Sequence, residues 1–123
     1  MIYLASPYSH PHAMVRELRF HDACVALANL VRAGIPTFSP IVQGHPLALH
    51  GLPTDWAFWE AFDRDHISRC DELAVLTLDG WQDSVGVAAE IAIAAELGKP
   101  VWYLAPDATV SPTLARVATE GEP

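Results

Sequence analysis

At 123 residues and 13.4 kDa, the chain has room for one domain and not for two. A composition that is 51% hydrophobic and 18% charged supplies a core, which excludes a wholly disordered chain. The 15 acidic residues against 7 basic ones, a formal net charge of −8, lack the basic face of a general nucleic-acid binder. They leave room for an anionic small molecule, because helix N-termini hold anions with few cations.

The first element is the apolar run Ile2-Tyr3-Leu4-Ala5, which reads as a short strand and stops at the turn-forming Ser6-Pro7-Tyr8-Ser9. A long helix is predicted from about Pro11 to Ala33. Val15, Leu18, Ala23, Val25, Leu27, Leu30 and Val31 recur there at helical spacings, and Gly34 closes it. Ile35 to Pro40 reads as a second strand, and Val42 to Pro53, rich in Gly, Pro and His, as a loop. Thr54 or Asp55 can cap the next helix, which runs through Trp56, Phe58, Trp59, Phe62 and Ile67 to about Cys70. Leu73 to Leu78 is an almost unbroken apolar run, the mark of a strand buried on both faces of a parallel sheet. A turn at Asp79-Gly80 leads to an alanine-rich helix from about Ser84 to Leu97, ended by Gly98. Val101 to Leu104 is the last strand, and the tail beyond Asp107 offers at most one short helix, near Pro112 to Val117.

Strands and helices thus alternate. The expected fold is a single-domain α/β sandwich, a parallel sheet of four or five strands with helices on both faces, of the Rossmann or flavodoxin-like kind. Ligands of such sheets bind beyond the carboxyl ends of the strands. Ser6-Pro7-Tyr8, the loop from Ser39 to Pro53, the turn from Asp79 to Ser84 and the segment after Leu104 all fall at that edge. No apolar run approaches the ~20 residues of a membrane span, and the stretch around Ser9 and His10 is too polar for a signal peptide. Cys24 and Cys70 fit free thiols in a reducing compartment, so the chain reads as a soluble cytoplasmic domain.

Glu90 is the most conspicuous candidate for chemistry, alone in the uncharged segment Val85 to Ala95. A carboxylate there either faces solvent or is buried at a cost of several kcal/mol unless paired. In the second case it aims into a cleft as nucleophile or base. Asp63 shares a helical face with Trp56, Trp59 and Ile67, so it projects from an aromatic, inward stripe, whereas Arg64 and Asp65 read as solvated charges. Ser84 falls at a helix N-terminus just after a strand. It is either a plain N-cap or, with the free backbone N–H groups, part of an anion site. Six residues separate it from Glu90, about 9 Å at ~1.5 Å per residue, so a nucleotide could put its 5′-phosphate near Ser84 and its anomeric carbon near Glu90. None of the six histidines stands at a zinc spacing. No Gly-x-Ser-x-Gly elbow, Gly-x-Gly-x-x-Gly loop or Walker loop occurs, so no metal or cofactor is expected.

Four short motifs occur in order. They are Ile2-Tyr3-Leu4-Ala5-Ser6, Asp63 with Asp71 eight later, Gly86-Val87-Ala88-Ala89-Glu90, and Gly98-Lys99-Pro100-Val101. Over most of residues 2 to 106 this order resembles the nucleoside 2-deoxyribosyltransferase-like superfamily, which includes the 2′-deoxynucleoside 5′-phosphate N-hydrolases. The Ala-Ser-Pro-Tyr-Ser-His opening resembles a small bacterial branch of it. The resemblance implies that Glu90 is the nucleophile that forms a covalent glycosyl intermediate. It implies that Asp63 handles the proton on the departing base and that Tyr3 orients the nucleophile. Ser84 stands where the phosphate-dependent hydrolases carry a serine; the transferases carry an aspartate there, and Asp83 is one residue out of place. Ser6 and Ser111 match further phosphate contacts, Ser111 from a neighbouring subunit, and Gly86 lies within the nucleophile motif. Where the hydrolases place an arginine after the first strand, Pro7-Tyr8-Ser9-His10 stands, with Arg16 and Arg19 on the following helix as the nearest cations.

Cleavage of an N-glycosidic bond passes through a cation-like sugar that a carboxylate stabilises and traps, while a second carboxyl group supplies the proton for the base. Trp56, Trp59 or Tyr8 could stack that base. The expected activity is hydrolysis of a nucleoside 5′-monophosphate. A deoxyribosyltransferase that exchanges bases is the alternative, and a non-catalytic nucleotide-binding module the third reading. The expected partners are a nucleoside or nucleotide and further copies of the chain in a homodimer or larger homo-oligomer, with no nucleic-acid polymer and no membrane.

Overall fold

A computed structural model describes residues 1–107. Four parallel strands form one sheet in the order β2-β1-β3-β4, with β1 Ile2–Ala5, β2 Thr37–Phe38, β3 Glu72–Leu76 and β4 Val101–Leu104. The helices are α1 Ala13–Arg32, α2 Pro40–Leu47, α3 Trp56–Arg69 and α4 Val85–Glu96. The mixed α/β sandwich expected from the alternating pattern is the fold observed, with four strands among the described residues. Ser111 and the short helix expected near Pro112 to Val117 lie outside them.

β1 steps outward to β2 through α1, whereas β3 steps the other way to β4 through α4. Right-handed crossovers in opposite directions put their helices on opposite faces. Accordingly Ala26 and Leu30 of α1 pack on Ile2, Leu4, Ala74 and Leu76. Ile67 of α3 and Val87, Ile93 and Ala94 of α4 pack on the other face with Tyr3, Ala5, Leu73 and Val75. The sheet therefore reverses its order between β1 and β3, and the crevice of a doubly wound fold opens beyond their carboxyl ends.

Two expectations need correcting. Leu18, Val25 and Val31 of α1 are exposed, and the helix meets the sheet through Ala23, Ala26 and Leu30. The small alanines let it lie close to the strands, and the larger side chains are left outside. The segment after β2 is not a loop, since α2 and a 3-10 turn, Ala48–His50, occupy most of it. Ser39 caps α2 by accepting from the Val42 N–H at 3.2 Å, and Pro40 at its first position fixes the starting φ. β2 is accordingly cut to two residues.

Helix ends follow the sequence more closely. Gly34 (φ 82°) turns the chain out of α1, with the Ile35 N–H bonded to the Leu30 carbonyl at 3.0 Å, and Lys99 bonds back to Ala94 at 2.8 Å after α4 in the same way. Asp55 takes the N-cap place of α3, yet its side chain makes no capping bond. Cys24 and Cys70 are free thiols, and no helix among the described residues is long and apolar enough to cross a membrane.

Candidate functional site

Glu90 points inward. Val87, Glu90 and Ala94 share the buried stripe of α4, and Glu90 is only 4% exposed. β1 supplies its partner. Alternation along that strand sends Tyr3 to the same face, fully buried, where its hydroxyl donates to Glu90 Oε2. α3 brings the second carboxyl, because Asp63 and Ile67 form its buried stripe and Asp63 is 7% exposed. Tyr3, Asp63 and Glu90, three of the residues selected from sequence, thus meet between β1, α3 and α4.

Burial dominates their electrostatics. It pushes the Glu90 carboxyl up to about 8; the Tyr3 hydrogen bond opposes the rise and the charge of Asp63 adds to it. Asp63 is raised to about 6, also by burial, with His66 and the Tyr3 hydroxyl pulling it back. Tyr3 itself is held well above the ordinary phenol range by burial and by the two carboxylates, so it stays a donor. Burial thus disfavours the ionised form of both carboxyls, and more strongly at Glu90 than at Asp63.

The cluster opens into a pocket at the carboxyl edge of the sheet, where Glu90 and Asp63 share the lining with Ser6, Tyr8, Trp56, Trp59, Ser84 and Gly86. The starts of three helices converge on it: Pro40 and Ile41 of α2, Asp55 and Trp56 of α3, and Ser84 and Gly86 of α4. Their unpaired N–H groups favour a negative ligand. Ser84 caps α4, accepting from the Val87 N–H at 3.2 Å, while its own hydroxyl proton is left for a ligand. The Ser6 hydroxyl is buried in the wall without a hydrogen-bond partner among the described residues. A buried polar group left so costs roughly 1–3 kcal/mol, which a ligand oxygen would offset. Gly86 leaves room beside Trp56 and the Ser84 hydroxyl, both of which a Cβ would meet at 3.9 Å.

Neither arginine considered from sequence lines the pocket. Arg16 donates to the His10 carbonyl. Arg19 donates to the Ser9 carbonyl at 2.9 Å and the Asp79 carbonyl at 3.3 Å, joining the loop after β1 to the loop after β3. Gly80 turns the chain there at φ 87°, in the left-handed region that favours glycine. An anion in the pocket would therefore be held by hydroxyls and backbone N–H groups. Among the described residues no group of three or more His, Cys, Asp or Glu could hold a metal ion.

Sequence reasoning missed one wall. α2 carries His45 into the pocket beside Tyr8. The Tyr8 hydroxyl meets His45 Nδ1 at 2.5 Å, and His45 Nε2 meets Glu17 Oε2 of α1 at 2.5 Å. Phe20 stacks on the imidazole with centroids 4.4 Å apart. No short-range spacing announces this chain, because Tyr8 and Glu17 lie 37 and 28 residues from His45.

The chain belongs to a family described as a domain of unknown function, DUF1937, whose model matches residues 1–105. No curated protein matches it.

Proposed function

We propose that this DUF1937 domain is a nucleoside 2-deoxyribosyltransferase-like enzyme that cleaves the N-glycosidic bond of a nucleoside 5′-monophosphate. The observation that carries the reading is the buried Glu90 carboxyl, hydrogen-bonded by Tyr3, next to Asp63, in an aromatic-walled pocket. Such a pair suits a reaction in which one carboxylate meets a developing sugar cation and the other moves a proton.

The two carboxyls suit a course that balances. Glu90 must be ionised to attack, and Asp63 must carry a proton for the base. Tyr3, whose hydroxyl donates to Glu90 Oε2, favours that ionised form. Glu90, now ionised, forms a bond to the anomeric carbon as the C–N bond breaks. The electron pair of that bond goes to the base nitrogen, which receives the proton from Asp63. Water then attacks the glycosyl ester, giving its proton to Asp63, and Glu90 leaves as carboxylate. Trp56 and Trp59 offer rings for the base, and Ser84, Ser6 and the N-terminus of α4 suit the 5′-phosphate. The domain then acts on small ligands rather than polymers, within a reducing cytoplasm, and as a homo-oligomer.

The test is chromatographic detection of free base from a panel of nucleosides and 5′-monophosphates, with a second base added to half the samples and Glu90→Ala alongside. Release from monophosphates alone, lost in Glu90→Ala, is expected. A new nucleoside formed only with the added base would replace hydrolysis by transfer. No turnover by folded protein would overturn the catalytic reading and leave a binding module.

A further inference from the structure

The chain Tyr8–His45–Glu17 is not used by the reaction proposed above, yet two of its members line the same pocket. Glu17 is a largely exposed carboxylate, with 64% of its side chain accessible, and accepts only. Neutral His45 must then carry its proton on Nε2, facing Glu17, which leaves Nδ1 bare. A bare Nδ1 accepts the Tyr8 hydroxyl proton, so toward the pocket the Tyr8 oxygen offers only a lone pair. When His45 gains a second proton, Nδ1–H becomes the donor and Tyr8 the acceptor. The hydroxyl proton is then free to turn to the pocket. Glu17 of α1 stands at Nε2, and Arg16 of the same helix lies beside the Tyr8 hydroxyl. Phe20 covers the ring face, and His45 is 19% exposed, so solvent can supply the proton.

We propose that Tyr8, switched by His45 and Glu17, sets which base the pocket accepts, offering an acceptor to an exocyclic amine when His45 is neutral and a donor to a carbonyl when His45 is protonated. This rests on the reading that a nucleotide base occupies the pocket. Tyr8 and His45 are specificity-determining residues here, and Glu17 positions the imidazole.

Binding measures it without turnover. Calorimetric titration of Glu90→Gln with paired 5′-monophosphates, 6-amino against 6-oxo purine and 4-amino against 4-oxo pyrimidine, gives the ratio of Kd values between pH 5.5 and 8. Phosphate ionisation is common to both members of a pair and cancels. For the pair that binds, the ratio is expected to move roughly tenfold toward the oxo ligand as pH falls, the worth of one exchanged hydrogen bond. Tyr8→Phe should hold the ratio constant. A ratio constant with pH in the unmodified wall, or a shift that survives Tyr8→Phe, overturns the proposal and leaves the nucleotide reading intact. Failure of every nucleotide to bind overturns both. Ring-nitrogen NMR of the free wild-type protein adds a check independent of ligand and variant folding. Neutral His45 must be the Nε2–H tautomer, and the Nδ1–H tautomer contradicts the mechanism.

Discussion

The two faces of the sheet use the same strands to opposite ends. Ile2 and Leu4 point to α1 and pack in an apolar cluster, whereas Tyr3 and Ala5, one step along, point to α3 and α4, the side that buries Asp63 and Glu90. The α1 face is a dry core that stabilises the fold. The opposite face buries two carboxyl groups whose ionised forms are disfavoured there. Carboxylates placed in this way weaken a fold and are retained for what they do to a ligand. A period of two along four residues of β1 is enough to separate the roles.

The comparison is sharpest where activity and stability can be pulled apart. Glu90→Ala should lower base release by more than about 10³-fold, as loss of a nucleophile does, while leaving the unfolding midpoint near or above that of the wild type. Release retained in that variant would remove Glu90 from the chemistry. Leu30→Ala, on the dry face, should do the reverse. Urea unfolding should show about 3 kcal/mol lost, with kcat per folded molecule unchanged.

pH separates the faces next. The folded state raises the Glu90 pKa to about 8, so it keeps a proton that the unfolded chain releases near the ordinary carboxylate range. Raising pH through that interval favours unfolding, and the loss is complete once pH exceeds about 8. Wild-type stability should therefore decline from pH 5 to 8, with Asp63 adding to the decline up to about 6. Glu90→Gln should remove most of that slope and be more stable at pH 8.5 by about 2–3 kcal/mol in a denaturant titration. A flat wild-type profile would mean that the carboxyl is not buried in solution. The smallest effect belongs to Ser84→Ala, which should cost about 1 kcal/mol as a lost cap. It should weaken binding of a 5′-monophosphate but not of the matching nucleoside, and equal weakening of both would reduce Ser84 to a cap alone.

The parts legible in the sequence were those written in local pattern. Val101 to Leu104 and the Gly34 and Gly98 stops needed only hydrophobic runs and punctuation, and the Trp56, Trp59, Asp63, Ile67 stripe only helical spacing. Glu90 was ambiguous locally, since an apolar helix does not say which of its sides is covered; the packing of α4 on Val75 and Ala5 decides it. α2 was hidden because Gly44 and Pro46 weigh against a helix, although Ser39-Pro40 is a sound helix start. His45 stayed unassigned for the same reason, as only the hidden helix aims it at Tyr8.

Arg19 carries a consequence for the carboxyl edge. Its guanidinium spans from the Ser9 carbonyl to the Asp79 carbonyl, and so holds the loops on either side of the crevice at a set separation. The bond is made from α1, the helix of the dry face. α1 thus ties two loops of the carboxyl edge together, while its Glu17 reaches the pocket wall through His45. The turn at Gly80, with φ 87°, carries the Asp79 carbonyl to that guanidinium, so a helix on one face of the sheet orders a loop that belongs to the other.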